Sequence, residues 1–478
     1  MQFYKLLSLS LLIILTITLA FNNLYINNLD LSIFIIFAPF LLCAAVVVLS
    51  AHKLAFSEML FFTIYTISSL GAILFQQIEL VIISLELMSL SAFFIIASGC
   101  KNYEPAIRYA CTHLLIGVLL TASISINNNN LSTLMIILCL LMNCACFPFS
   151  FWVTDAYPAA SLHGTSYLSL FTTKISFLVM IIHTYHLWKN YTAIIATLGS
   201  ITVIYGIMFA SLEQNMRRFL CYGIIAQMGM LILTGSLLAK SHNAIPLLVE
   251  YIIVSLFYQL LLFSVANSII LKTKVVSFNR ITGFISIEGI CATIAVLTMA
   301  AFPGTAGFII KSHITTEIKA YTGGEYLFKA LNLLLYASIG LKFIYHTFTL
   351  KCKKSAIISK TSIPMVVLAL MCVNPYLLIH IKSLPVYNQF NMLLCTTLLF
   401  ILLRKLFYPR ISFQMDIDWI FRAVIPYIIS CLTVRKKVLQ NLTVGSYFNN
   451  ITRYEKISVP VASVILITTL LMLICLNH

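Results

Sequence analysis

Fifteen apolar stretches of membrane-spanning length follow one another along this chain, and they leave almost no room for anything else. They run roughly 4–21, 31–50, 56–75, 78–98, 106–125, 131–152, 163–184, 192–210 and 219–238, then 246–271, 283–318 (interrupted), 325–350, 363–381, 391–408 and 459–476. A bilayer-crossing helix needs about 20 apolar residues. Such a series predicts an all-α polytopic membrane protein of 14–15 transmembrane helices. Composition agrees: 61% of the 478 residues are hydrophobic and 9% charged, where soluble chains carry about 25% charge. A soluble enzyme, a nucleic-acid binder and a disordered chain are excluded. The first stretch has the length of a signal-peptide core, but the spans behind it favour retention. The thirteen cysteines have no paired C-x-x-C spacing. Those in apolar runs (Cys43, Cys111, Cys139, Cys144, Cys146) read as small buried hydrophobes rather than metal ligands or disulfides.

The formal net charge of +16 is an orientation signal. Connections after even-numbered spans hold Lys53, Lys101, Arg108, Arg217, Arg218, Lys272, Lys274, Arg280, Lys351, Lys353, Lys354 and Lys360, with nine more basic residues between Arg404 and Lys456. Connections after odd-numbered spans hold Lys189, Lys240, Lys319 and Lys382. The positive-inside rule puts the even connections and Lys5 in the cytoplasm or matrix, and the Asn127–Asn130 turn outside. Contact with anionic lipid is a by-product.

This divides the chain into N-terminal helices (1–77), a core (78–350), C-terminal helices (351–408), a more polar linker (409–458) and a last span (459–478). The linker, with Asp416, Asp418, Arg422 and Arg435-Lys436-Lys437, reads as cytoplasmic with one interfacial helix. Phosphate-loop, HExxH and nucleophile-elbow motifs are missing, so no cofactor and no catalytic chemistry of the chain's own are expected.

An ionisable side chain at a helix centre costs at least about 2.5–3.5 kcal/mol on insertion scales, so each one needs a partner, a wet cavity or a function. Glu86, Lys174, Glu250, Glu288, Lys311, Lys329 and Lys342 lie at that depth. Glu79, Lys329 and Lys342 are close enough to span ends for snorkelling or an interhelical pair. Glu86 is mid-span, with Ser89 on its helical face and Ser91 nearby, and Lys174 follows Thr172-Thr173. The two read equally well as proton carriers and as a static ion pair. Pro148 interrupts one span, and Pro303-Gly304 interrupts another two turns before Lys311. Broken helices in corresponding positions of two halves point to an ion path.

Several stretches, in order between about 80 and 350, resemble the proton-translocating antiporter-like subunit family of complex I membrane arms, Mrp-type antiporters and membrane-bound hydrogenases. They are Leu85-Glu86-Leu87-Met88-Ser89-Leu90, Glu104-Pro105-Ala106-Ile107-Arg108-Tyr109, Phe147-Pro148 through Pro158, and Phe171-Thr172-Thr173-Lys174. Arg217-Arg218-Phe219-Leu220-Cys221-Tyr222 with Gln227-Met228-Gly229, and Phe302-Pro303 through Phe308 to Lys311, complete the set. The D-type subunits of Mrp antiporters and the N- or M-type membrane-arm subunits of complex I are the nearest types. The resemblance implies two inverted five-helix repeats with broken helices and a line of charges across the membrane centre. It places Glu86 on the gating glutamate, Lys174 on a relay lysine and Lys311 on the terminal relay position.

The chain also departs from the family. Asn143 stands where many relatives carry a lysine, and Ser255 and Gln259 replace the His-x-x-x-Lys pair. These side chains hold a water wire but store no charge. Glu250 and His113 are candidate substitutes or packing residues. One helix of the family's front end is missing, in keeping with an inside amino terminus. The expected function is cation (Na+ or K+)/H+ antiport within a multi-subunit complex. Proton pumping in an NADH:quinone oxidoreductase and a non-transporting scaffold are the alternatives. Other membrane subunits and the bilayer are the expected partners, with no nucleic acid. The expected location is a bacterial inner membrane ahead of a mitochondrial one.

Overall fold

The computed structural model describes residues 33–51, 54–100, 102–126, 129–278, 287–321, 324–348, 362–373 and 386–403. The expected linker at 409–458, the last span at 459–478, Lys5 and the first span lie outside the described residues. Every described regular element is helical, as an all-α membrane protein requires. Seven helices are long and apolar enough to cross a membrane, and five shorter apolar helices accompany them. The α-helical segments, in chain order, are α1 (Ile33–Ser50), α2 (Phe56–Leu74), α3 (Ile78–Gly99), α4 (Glu104–Ile124), α5 (Asn129–Asn143), α6 (Phe151–Ala156), α7 (Leu162–Leu168), α8 (Thr172–Thr184) and α9 (Trp188–Leu212). Then come α10 (Met216–Leu237), α11 (Ala244–Thr273), α12 (Ile287–Ala300), α13 (Ala306–Tyr321), α14 (Glu325–Leu335), α15 (Lys342–Phe348), α16 (Ser362–Cys372) and α17 (Val386–Leu403).

Apolar side chains fill the interior and also cover the outside, while many polar ones are drawn inward. On α3, Ile83, Leu87, Leu90 and Phe94 form an exposed stripe at helical spacing. The interior holds Ser84, Thr172, Thr202, Thr234, Ser255 and Gln259. Lipid gains nothing from the burial of more hydrocarbon, so close packing and hydrogen bonds hold such a bundle together. α10 is its axis, with 89% of its spanning window buried. It touches α9 backbone to backbone: an added Cβ at Gly206 would stand 2.7 Å from Ala226 N, and one at Gly229 2.7 Å from Val203 N.

The ten described cysteines are unpaired and seven are buried, but Cys111 faces outward with Cys395. A thiol is apolar enough for either side of a helix in lipid, so burial did not follow from its type.

Both breaks form where Pro148 and Pro303 were expected to interrupt a span, and they share one geometry. Ala145 (φ 57°) follows α5, and its N–H donates to Met142 O while Cys146 N–H donates to Leu141 O, each at 3.0 Å. Ala301 (φ 62°) follows α12, with Ala301 N–H to Thr298 O at 3.2 Å and Phe302 N–H to Leu297 O at 2.9 Å. These are Schellman terminations with alanine in the left-handed position that usually takes glycine. Gly304, at φ 99°, turns the chain again after Pro303. The stretch 163–184, expected to be continuous, has a third interruption at residues 169–171, between α7 and α8.

Because a left-handed alanine is strained, Ala301→Gly is expected to raise the unfolding free energy by up to about 1 kcal/mol, and β-branched Ala301→Val to lower it by at least as much. Thermal unfolding of the detergent-purified protein measures both.

Candidate functional site: buried charges at the helix breaks

Lys174 lies in the first turn of α8, where the helix dipole opposes a cation. Its ammonium instead reaches back to Ser169 O, at the carbonyl end of α7 (2.8 Å), and to Gln259 Oε1 on α11 (2.6 Å). The side chain is 1% exposed. Gln259 is thus a neutral acceptor for the Lys174 charge, contributed by a helix 85 residues further along the chain.

Lys311, 4% exposed, repeats the arrangement at the second break. Its ammonium donates to Met299 O, at the carbonyl end of α12 (2.5 Å), and to Asn332 Oδ1 on α14 (2.6 Å). The ring of Tyr251 lies 5.5 Å away. Asn332 is fixed in turn by its Nδ2, 3.4 Å from Ala300 O on the same break.

A cavity of about 10 Å3 separates the two lysines' surroundings, lined by Gln259, Tyr258, Gln227, Met299 and Ile339 among others. It has room for one water at most. Gln259 holds Lys174 and the Met299 carbonyl holds Lys311, so the space lies between their supports.

Glu86 is half-buried and makes no hydrogen bond or ion pair among the described residues. Its carboxylate lies over Gly117 of α4, where an added Cβ would collide with it. Ser89, expected on the same face, spends its hydroxyl on Glu86's own carbonyl (2.8 Å), and Ser91 bonds Leu87 O (2.7 Å). Tyr109 adjoins Glu86, and with Tyr65 and Tyr157 it forms a buried phenol cluster. Tyr65 hydroxyl bonds Thr172 Oγ1, two residues before Lys174. The tyrosines therefore connect the surroundings of Glu86 and Lys174. Sequence reading missed them, because an isolated tyrosine in an apolar span carries no signal of its own.

The remaining candidates separate. His113 is buried between the rings of Tyr109 (4.2 Å) and Trp152 (4.7 Å) and adjoins Asn143. Ser255 is fully buried and bonds Ile252 O at 2.7 Å. Glu250 is exposed on α11, near His313, so it does not replace a charge in the core. Glu288 is 1% exposed and neutralised by Lys272, with Ser268 donating to it at 2.8 Å. Pro148 lies in the first break, which Thr202 of α9 clamps: its hydroxyl accepts from Phe147 N–H at 3.1 Å. Several buried polar atoms have no hydrogen-bond partner among the described residues: Tyr109 Oη, His113 Nε2, Asn143 Oδ1, Tyr157 Oη and Ser176 Oγ. Buried polar groups of this kind are ordinarily met by water.

Of the two alternatives for Lys342, snorkelling or an interhelical partner, the second holds. It does not snorkel: it is 1% exposed and donates to Ala210 O (2.9 Å), Ser211 O (2.8 Å) and Glu213 O (2.7 Å), closing the carbonyl end of α9. A π-helical turn at Tyr336–Leu341 immediately precedes it. Sequence distance from a span end gives no direction, and the carbonyl end of α9 made the inward one favourable. Arg217, read as a connection residue, is likewise drawn in, donating to Ala160 O (2.6 Å), Ser161 O (3.0 Å) and Thr165 Oγ1 beside α7.

The comparisons bear on this arrangement. A sequence profile described as "NADH:quinone oxidoreductase/Mrp antiporter, TM" matches residues 14–328. The chain belongs to this family. It is 22% identical over 259 residues to NADH-quinone oxidoreductase subunit N 2 of Thermodesulfovibrio yellowstonii, covering 53% of this chain and 54% of the relative. It is 28% identical over 200 residues to subunit N of Bacillus anthracis, covering 38% and 39%. The chain thus spans about half or less of these relatives. Among solved structures, a chain of the Mrp complex from Dietzia sp. DQ12-45-1b superposes with a TM-score of 0.68 at 16% identity, covering 91% of this chain and 55% of that one. A chain of the membrane-bound sulfane sulfur reductase, an archaeal respiratory complex, gives 0.65 at 16%, covering 93% and 88%. These two likenesses concern the fold.

Lys342→Ala strands three buried carbonyls and is expected to destabilise the protein by at least about 2 kcal/mol, with Lys342→Arg recovering part of the loss. Thermal unfolding in detergent tests this.

Proposed function

We propose that this chain is an ion-translocating membrane subunit of a multi-subunit cation/proton antiporter, in which protons pass by way of Glu86, Lys174 and Lys311. The observation that carries the reading is the pairing of two buried lysines with helix-end carbonyls, with Gln259 and a one-water space between their supports. An ammonium held by neutral acceptors alone can lose its proton without leaving a carboxylate stranded, which a static ion pair does not permit. Gln259 and Asn332 hold the two amines in place, while Ser255 and Asn143 border the route without storing charge. Glu86, with no cation beside it, changes its charge at little structural cost. The orphaned hydroxyls of Tyr109 and Tyr157, with Asn143 and His113, supply water sites from Glu86 toward α8.

Likeness to the Mrp complex supports antiport, with sodium or potassium as the exchanged cation and other membrane subunits as partners. The names of the sequence relatives support a second reading, in which the chain is a proton-pumping subunit of an NADH:quinone oxidoreductase driven by redox partners. Bacterial relatives support a bacterial inner membrane.

In everted vesicles Glu86→Gln is expected to abolish sodium-dependent proton movement, and unchanged transport would remove Glu86 from the route. Gln259→Leu, which takes away an acceptor of Lys174, is expected to lower the rate at least about tenfold. Acidification that requires NADH oxidation and ignores a sodium gradient would favour the second reading. Mass spectrometry of co-purifying chains, antiporter subunits against flavin and iron–sulfur subunits, decides between them independently.

A further inference from the structure

Away from its carbonyl seat, Lys311 lines a second and larger cavity, of about 100 Å3, partly open and bordered by α13, α14 and α17. Lys329, Asn332 and Asn388 line it too, with Thr315 one turn beyond Lys311 and Phe308 and Phe328 as apolar walls. From Lys311 the cavity follows α13 through Thr315 toward Lys319, the end that the charge bias places outside. No carboxylate is among its lining residues.

The donor count is uneven. A lysine ammonium has three N–H groups. Met299 O and Asn332 Oδ1 take two of those on Lys311, which leaves one for whatever fills the cavity. Lys329 stands 5.8 Å over the ring of Tyr326 and forms no ion pair among the described residues, not even with Glu325 one turn before it. Glu317, on another face of α13, is engaged by Ser241 and Asn243. Two ammonium groups therefore line one partly open space with no countercharge among the described residues that line it. A metal cation there would meet two like charges. A neutral solute would leave both uncompensated.

We infer that this cavity is a binding site for a small monovalent anion, a halide or a simple carboxylate, held between Lys311 and Lys329 and reached from the outer face. One water needs about 10–15 Å3 of such volume, so the space accommodates such an ion together with several waters. The inference is independent of the ion-translocation reading, since binding is measured without any gradient.

The test is equilibrium binding of chloride-36 to the full-length protein purified in mild detergent, with whatever subunits accompany it. Saturable binding near one ion per chain is expected. Lys329→Gln is expected to weaken it about tenfold, the loss of one charged hydrogen bond. Lys311→Met is expected to abolish it, and Asn388→Leu, at an exposed position, to weaken it without affecting folding. Lys189→Gln, an exposed lysine elsewhere, is expected to leave it unchanged. Displacement by bromide but not formate identifies a halide site, and equal displacement by both identifies a carboxylate-tolerant one. Non-saturable binding, or the same affinity in the Lys329→Gln and Asn388→Leu proteins, would overturn the proposal even where Lys311→Met fails to fold.

Discussion

A lysine ammonium inside a bilayer is tolerable only if something negative meets it, and in this protein helix ends supply that. Lys174 sits on the carbonyl end of α7, Lys311 on that of α12, and Lys342 on that of α9. The last turn of a helix leaves carbonyls without donors and carries the negative end of its dipole. Interrupting a helix in lipid exposes those groups, and burying a lysine creates an equal and opposite demand. Each defect cures the other, so the breaks and the charges form one structural device.

The device has two settings. Lys342 finds three backbone carbonyls and is fully occupied; it anchors α15 to the end of α9. Lys174 and Lys311 each find one backbone carbonyl and one side-chain amide; Lys311 lines the larger cavity, and Gln259, the amide that holds Lys174, lines the smaller. An amide side chain can turn, whereas a helix-end carbonyl is fixed. The difference in partners separates a lysine that holds structure from two whose surroundings leave space for water.

Much of this was legible in the residues. The apolar runs, Pro148, Pro303 and the mid-span charges of Glu86, Lys174 and Lys311 are local signals, and the breaks and burial follow from them. What depended on a second helix was not legible. That Gln259 faces Lys174, that Asn332 holds Lys311 and that Gly117 makes room for the Glu86 carboxylate are facts about pairs of positions 85, 21 and 31 residues apart. Glu250, left open between a relay substitute and a packing residue, shows the converse. Its depth along a span was readable, but the side of the helix it occupies was set by packing, and it lies outside the core. For Lys342, snorkelling and an interhelical partner were both open, because the carbonyl end of α9 that attracts it lies about 130 residues earlier in the chain.

The glycine contacts between α9 and α10 also bear on time. Two helices in backbone contact through Gly199, Gly206 and Gly229 cannot slide past one another without wedging Cβ atoms into main chain. The axis of the bundle is therefore a rigid post, and rearrangement falls to side chains, enclosed water and the short unwound segments around it. Motions of that size run from picoseconds to microseconds, whereas rocking of whole domains takes microseconds to milliseconds. A core built in this way is expected to rearrange through those small, fast motions and not by sliding of α9 past α10.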